Sequence, residues 1–432
     1  MNLNIPPSVP PHAGGRVLSK IAPENVCLTD SELREFVEQA FSGLNVTGKR
    51  LLFVIPDYTR SMPMATMFRV LNETLQGRAA KLDYMIALGT HPAMTDEQIN
   101  TLLGTTKEER ASKYANIGMF NHEWQNPDAL THIGTISEDE IAELSQGMMR
   151  QSARVEINKR ILDYDMLCIV GPVFPHEVVG FSGGNKYFFP GIAGAEILNL
   201  FHWLGALITN PEINGTKHTP VRAVIDRAAS FIPVEKKCFC LNIHGKKAHG
   251  IFFGSPEEAW SAAADLAAET HIVYKDKPFK SVLALAPAMY DEIWVAGKCM
   301  YKLEPIVADG GELIIHAPHI TEVSATHGAL IKKIGYHTRD YFLAQMEKFT
   351  DIPGGILAHS THVRGIGSYT DGVENCRVTV TLATGIPEHE CTSINLSYRD
   401  HGAINIEEWR DREHEGYLLV ENAGEVLYKL RS

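Results

Sequence analysis

Positive charge is in short supply: 40 Lys and Arg stand against 52 Asp and Glu, a formal charge of −12. No basic patch with interleaved aromatics appears either, which sets aside a nucleic-acid protein. Cysteine is scarce, seven in 432 residues, and only Cys238 and Cys240 lie close together, as C-x-C. With no C-x-x-C pair, this usage indicates a reduced compartment rather than a disulfide scaffold. There is no run of about 18 apolar residues, so no helix is expected to span a membrane. The N-terminal MNLNIPPSVPPHAGG is proline-rich and lacks the apolar stretch of a secretory leader. Internal repeats and low-complexity tracts are missing too. These absences leave a cytoplasmic protein, long enough for two or three domains.

What is present is an alternation of short apolar runs and amphipathic stretches, the signature of α/β architecture. Strands are expected at Leu51–Ile55, Tyr84–Leu88, Met166–Val170, Ser281–Ala286 and Glu312–His316. Helices are expected at Ser31–Ser42, Met64–Gln76, Thr95–Leu103, Pro220–Ala229 and Pro256–Ala268, with Asp30, Thr95 and Ser255 as caps. The polar stretch HIVYKDKP (271–278) marks a boundary. The expected fold is α/β in two domains, residues 1–275 and 276–432. Each carries a Rossmann-like, largely parallel sheet, with the active site in the interdomain cleft. The last segment, Gly416–Leu430, reads as strand, turn and strand, and its packing on either domain stays open.

The ends of the strands hold the polar residues. The first runs into Asp57-Tyr58-Thr59-Arg60, the second through Gly89-Thr90 into His91, and the third through Gly171-Pro172 toward His176. Ligands of parallel α/β sheets bind beyond the carboxyl ends of the strands, so these residues are expected to converge. His91 and His176 fit an acid/base pair, because imidazole titrates near neutral pH. Two bases facing one carbon from opposite sides suit a racemase or epimerase. Arg60 offers a planar fork for a carboxylate, and Asp57 can orient a histidine or cap a helix.

Residues 180–186, GFSGGNK, form a glycine loop ending on Lys186. It is no Walker A loop: Asn185 precedes the lysine and Tyr187 follows it, where Gly and Ser or Thr are needed. His176-Glu177 is followed by Val-Val-Gly-Phe, so no zincin helix is present. Two readings remain open, a cradle of bare N–H groups for an anion and a sharp turn where glycine permits close packing. Lys186 is then a phosphate contact, a nucleophile or an exposed amine. His202, at the end of an apolar helix, is a core residue or a metal ligand.

The segments PDYTRSMP, ALGTH and GPVFPHEVVGFSGGNK, followed by His202, resemble the nickel-dependent lactate racemases, in order and in spacing, over nearly the whole chain. The resemblance implies a cofactor, nickel held by pyridinium-3-thioamide-5-thiocarboxylate mononucleotide, and with it cofactor-synthesis enzymes as partners. It implies attachment of that nucleotide at Lys186, cofactor contacts from Gly183, Gly184 and Lys298, and nickel ligation by His202. His91 and His176 correspond to the catalytic histidines, and Asp57 and Arg60 to the substrate-binding pair. The reaction implied is racemisation of a 2-hydroxy acid through hydride removal and return at C2.

The chain departs from that family in its second half. The family's Tyr-Gln before the kept lysine is Trp294-Val295 here, and Tyr58 stands where a basic residue can occur. The expected substrate is therefore larger than lactate, a sugar acid such as gluconate. Trp294, Lys298, His362 and Arg364 are expected to contact it, in a polar group with His359 and Tyr369. Lactate racemase proper, and a nickel-pincer carrier without turnover, are the alternatives.

Overall fold

The computed structural model describes residues 17–431, and the proline-rich N-terminal stretch lies outside them. Contacts divide the chain into two compact units whose segments interleave. Among the described residues the first comprises 17–174, 182–198 and 222–267; the second comprises 175–181, 199–221 and 268–431.

The first unit is built on seven strands: β1 (Leu18–Ile21), β2 (Arg50–Ile55), β3 (Lys81–Ile86), β4 (Met119–Asn121), β5 (Met166–Pro172), β6 (Glu235–His244) and β7 (Lys247–Gly254). Their order is β1-β7-β6-β5-β2-β3-β4. The pairings from β6 to β4 are parallel, while β7 runs antiparallel to both β6 and β1. Leu51 to Ile55 are wholly buried, so β2 reads as an unbroken apolar run, as a strand covered on both faces must. Each such side chain contributes roughly 1.5–3 kcal/mol by leaving water.

The register matters for the site. Ile55 pairs with Ile86 and Val54 with Ile169, so β2 and β3 end level while β5 runs two residues further, to Pro172. From β2 the chain adds β3 and β4 on one side, then β5 and β6 on the other. The carboxyl ends of β2 and β5 therefore flank the topological switch point, the place at which such sheets bind ligands.

Thr95 and Ser255 cap their helices as expected, accepting from the N–H groups of Gln98 and Glu258 at 3.2 Å each. The first cap is Thr29 rather than Asp30, which is already helical. Thr29 is extended and closes a reciprocal capping box with Glu32. The second strand stops at Ile86 instead of Leu88. Its chain bends there because His91 N–H donates to the Leu88 carbonyl at 2.9 Å and Gly89 adopts φ +57°.

In the second unit, β8 (Phe279–Leu285), β9 (Val307–Ala317), β10 (Thr379–Thr384), β11 (Ser397–Tyr398) and β12 (Tyr417–Val420) make an all-parallel sheet ordered β11-β10-β9-β8-β12. The last segment joins this unit. Tyr417 pairs with Ser281, and Leu427–Leu430 runs parallel to Ile272–Lys275.

Candidate functional site

In the first unit, Asp57 follows β2 and is 4% exposed. Its Oδ1 accepts from the Thr59 N–H at 2.9 Å and the Thr59 hydroxyl at 2.6 Å. Its Oδ2 lies 2.6 Å from His91 Nδ1. Burial alone would raise the Asp57 carboxyl, but His91, Arg60 and the Thr59 hydroxyl together hold it below the usual carboxylate range. An ionised Asp57 fixes His91 with Nδ1–H as donor and Nε2 as the outward lone pair. Two of the three strand ends thus deliver their polar residues to one place. Arg60, half-buried, belongs to the same group through its charge.

The glycine loop belongs to this unit from Ser182 onward. Gly183 (φ +83°) and Gly184 (φ +58°) are left-handed, and a Cβ on either would meet Val173 or Trp260 at 2.6–2.8 Å. Close packing therefore accounts for both glycines. Lys186 lies in the 3-10 turn Gly184–Tyr187 and is half-buried. Tyr187, which replaces the Walker hydroxyl residue, fills the space a Cβ on Gly171 would need, its hydroxyl 2.0 Å away from it.

The second unit holds the other expected residues. His176 sits in a two-strand turn, Pro175–His176 against Gly180–Phe181. Its Nδ1 accepts from the Val178 N–H at 3.1 Å and is 3.4 Å from Glu177 Oε2. Buried Lys302 donates to the Pro175 carbonyl just before it. His202, on helix Ala195–Ile208, is half-buried and electrostatically coupled to His359 and His362. Burial keeps both of these neutral, His362 pushed down to about 4 with help from His202, and His359 well below the ordinary imidazole range.

Trp294 stacks on His359, ring centroids 4.1 Å apart, and tilts against His327 at 4.3 Å. Both ring nitrogens of His359 are engaged, Nδ1 with the Tyr301 hydroxyl at 2.9 Å and Nε2 with that of Tyr336 at 3.1 Å. His359 therefore serves to shape the wall behind Trp294. His362 Nε2, by contrast, is buried without a hydrogen-bond partner among the described residues. His362 also lines a cavity of about 40 Å³ with Asn210, Glu304, Arg339 and Thr361. Lys298 opens helix Lys298–Leu303 with its ammonium 4.8 Å above Tyr290. Arg364 ends helix Gly354–Arg364 and interacts with Cys376, while Tyr369 packs edge-on against Tyr341 at 5.1 Å. The expected quartet 359/362/364/369 is thus dispersed among different partners.

Sequence reasoning passed over Thr59, Glu177, Tyr301 and Tyr336. Thr59 and Glu177 were within reach, since each adjoins a residue already singled out. Among the described residues no group of three or more His, Cys, Asp or Glu is placed to hold a metal.

A family model described as the lactate racemase N-terminal domain matches residues 29–214. The lactate racemase of Thermoanaerobacterium thermosaccharolyticum is 25% identical over 278 residues, 62% of this chain and 60% of that protein. The lactate racemase of Lactiplantibacillus plantarum is 26% identical over 230 residues, 51% and 49% of the two chains. The matches thus span only about half to three-fifths of these curated relatives. Among solved structures, a Thermotoga maritima protein is 32% identical with a TM-score of 0.85, covering 94% of this chain and 99% of its own. The lactate racemase apoprotein of T. thermosaccharolyticum shares the fold at a TM-score of 0.69 and 19% identity, over 92% and 93%. Through residues 29–214 the chain carries the N-terminal domain of the lactate racemase family.

Proposed function

We propose that this protein is a racemase or epimerase that inverts C2 of a 2-hydroxy acid, using the nickel-pincer nucleotide. The observation that carries the reading is the pair of buried Asp57 and half-buried His91, 2.6 Å apart, inside the segment that matches the family model. It gives a carboxylate-oriented imidazole whose free nitrogen is a base, the arrangement general-base catalysis asks for.

The residues present fit the cofactor. Lys186 offers a half-buried amine on a rigid loop, and His202 offers an imidazole whose histidine neighbours are neutral and do not repel a cation. A metal that arrives with its own carbon and sulfur donors asks the chain for one ligand. Lys298 suits the nucleotide phosphate. When bound, the pincer nucleotide would supply reversible hydride acceptance at C2, the chemistry that relates a 2-hydroxy acid to its 2-keto acid.

The chain's own residues handle protons and charge. Arg60 clamps the substrate carboxylate. His91 Nε2 takes the C2 hydroxyl proton of one enantiomer. His176, protonated and with Nδ1–H turned to Glu177, returns its Nε2 proton to the oxygen presented on the other side. For the reverse direction His176 must be a base, and donation from Nδ1 to Glu177 would free its Nε2. Glu177 thus lets one imidazole serve as acid or base.

A substrate larger than lactate, such as gluconate, is the preferred class. Trp294 and Val295 cannot reproduce the hydrogen bonds of a Tyr-Gln pair, since indole has one donor and valine none. The partnerless His362 Nε2 and the polar cavity beside it suit a hydroxylated tail. The test is side-by-side turnover of lactate, malate, 2-hydroxyglutarate and gluconate by enzyme produced with the cofactor-synthesis enzymes, with deuterium followed at C2. Lactate as best substrate would overturn the preference for a larger acid. Complete exchange of the C2 hydrogen with solvent would overturn hydride transfer and point to a carbanion.

A further inference from the structure

Beneath the glycine loop lie four side chains that the proposed chemistry leaves unused. Arg222 and Asp226 are one turn apart on helix Pro220–Ser230, and Glu257 and Trp260 are three residues apart on helix Pro256–Thr270. Arg222 and Trp260 are buried, 2% and 4% exposed, while Asp226 and Glu257 are half-buried. Every one of them reaches a residue just before Lys186.

Trp260 Nε1–H donates to the Ser182 carbonyl at 2.9 Å. Arg222 Nη1 donates to the Gly183 carbonyl at 3.3 Å, its guanidinium 4.0 Å above the Trp260 ring. Gly184 lies so close that an added Cβ would meet Trp260 Cβ at 2.8 Å. Asn185 Nδ2 gives its two hydrogens to Asp226 Oδ1 at 3.0 Å and Glu257 Oε1 at 2.7 Å. Four consecutive residues are therefore pinned, and the next one is Lys186.

Stability alone does not account for this set. A buried guanidinium is costly to desolvate, and well-packed apolar side chains would anchor a turn as well or better. With both amide hydrogens fixed, Asn185 also leaves its Oδ1 buried and without a hydrogen-bond partner among the described residues. An orphan of that kind costs roughly 1–3 kcal/mol. These costs fall on a single loop, the one that presents the amine. Precise placement of a reacting group is what such a supporting layer supplies.

We propose that Arg222, Asp226, Glu257 and Trp260 are positioning residues that lock residues 182–185 and thereby set the approach of the Lys186 amine to the cofactor. The proposal rests on Lys186 as the attachment residue, and its test separates the two. Trp260→Phe removes one N–H and keeps a ring for Arg222 to stack on. Asp226→Leu removes one of the two acceptors of Asn185, and Asp226→Asn restores an acceptor oxygen. Each variant is measured in three ways: thermal melting, nickel per chain after production with the cofactor-synthesis enzymes, and acetic anhydride labelling of Lys186 in the cofactor-free chain. Exposed Lys277 is the internal reference for labelling.

Trp260→Phe and Asp226→Leu should melt as cooperatively as the parent and label faster at Lys186. They should retain nickel about 10-fold less well, the usual effect of losing an outer partner, and Asp226→Asn should recover most of it. Parental nickel content in a folded Trp260→Phe chain would overturn the proposal. So would lost nickel with unchanged Lys186 labelling, because the effect would then not run through the loop. If Asp226→Leu does not fold, Trp260→Phe decides. If the parent itself binds no nickel, the attachment reading fails, and faster labelling in the variants still upholds the lock on the loop.

Discussion

Replacing Asp57 by Asn changes one atom and should reverse the polarity of His91. Asp57 Oδ1 accepts from the Thr59 N–H, so the amide oxygen of an asparagine must take that place. Its Nδ2 is then left facing His91 Nδ1, where a carboxylate oxygen stood at 2.6 Å. Two donors cannot share that contact, so His91 must accept at Nδ1 and carry its proton on Nε2. The base is lost although no ring has moved. A histidine held in the wrong tautomer forfeits its general-base contribution, about 10²–10⁴-fold in rate. The variant also loses a charge-assisted hydrogen bond to a buried group, roughly 1.5–3 kcal/mol of stability. Chiral chromatography of the product mixture gives the rate, and ¹⁵N chemical shifts of His91 give the tautomer. Turnover within tenfold of the parent, or a proton still on Nδ1, would refute the reasoning.

Four further outcomes follow. Lys186→Ala should abolish nickel retention, read by metal analysis and intact mass; a variant that loads nickel like the parent removes Lys186 from the attachment role. His91→Ala and His176→Ala should each slow racemisation about 10²–10⁴-fold, and near-normal turnover in either dismisses that histidine. Gly180→Ala should destabilise by about 3 kcal/mol or more, because φ is +86° and the new Cβ would fall 1.8 Å from the Thr216 carbonyl oxygen; an unchanged calorimetric melting point would contradict this. His122 and His362 are each pushed by burial to about 4, so between pH 6.5 and 4 the unfolded chain binds protons that the folded chain refuses. Stability should be full above pH 6.5 and decline below it, each histidine removing up to about 3 kcal/mol near pH 4; a urea midpoint equal at pH 7.5 and pH 5 would count against it.

Much of the first unit could be read from the sequence because its strands are buried on both faces. Leu51–Ile55 and Met166–Val170 announce themselves as apolar runs, and the polar residues after them are conspicuous. The antiparallel strand Lys247–Gly254 and the pair Leu130–Ile136 with Ala153–Asn158 went unread, since their apolar residues are sparse or irregular. The cap at Thr29 was displaced by one residue because Asp30 is an equally good capping type, and only the reciprocal bond to Glu32 decides between them. Asp57 with His91 was legible as a convergence of strand ends. The partners of Asn185 were not, being 41 and 72 residues away, with nothing local to mark them. The polar quartet from His359 to Tyr369 looked like one group because it is close in sequence, but a helix end and a hairpin send its members to different neighbours.

The interleaving of the two units bears on how the chain is made. Residues 175–181 and 199–221 emerge from the ribosome early, yet the segment they pack with begins at Ala268 and runs to the end. When residue 267 has been added, about 160 residues are still to come, roughly ten to thirty seconds of synthesis at ~5–20 residues per second. Over that interval Phe181, Leu200, Phe201, Leu204 and Ile213, all buried in the finished protein, have no completed partner. A cut near residue 275 would make this transient exposure permanent. The N-terminal fragment is then expected to need a chaperone or to aggregate, and mixing separately produced halves would be a poor route to the whole.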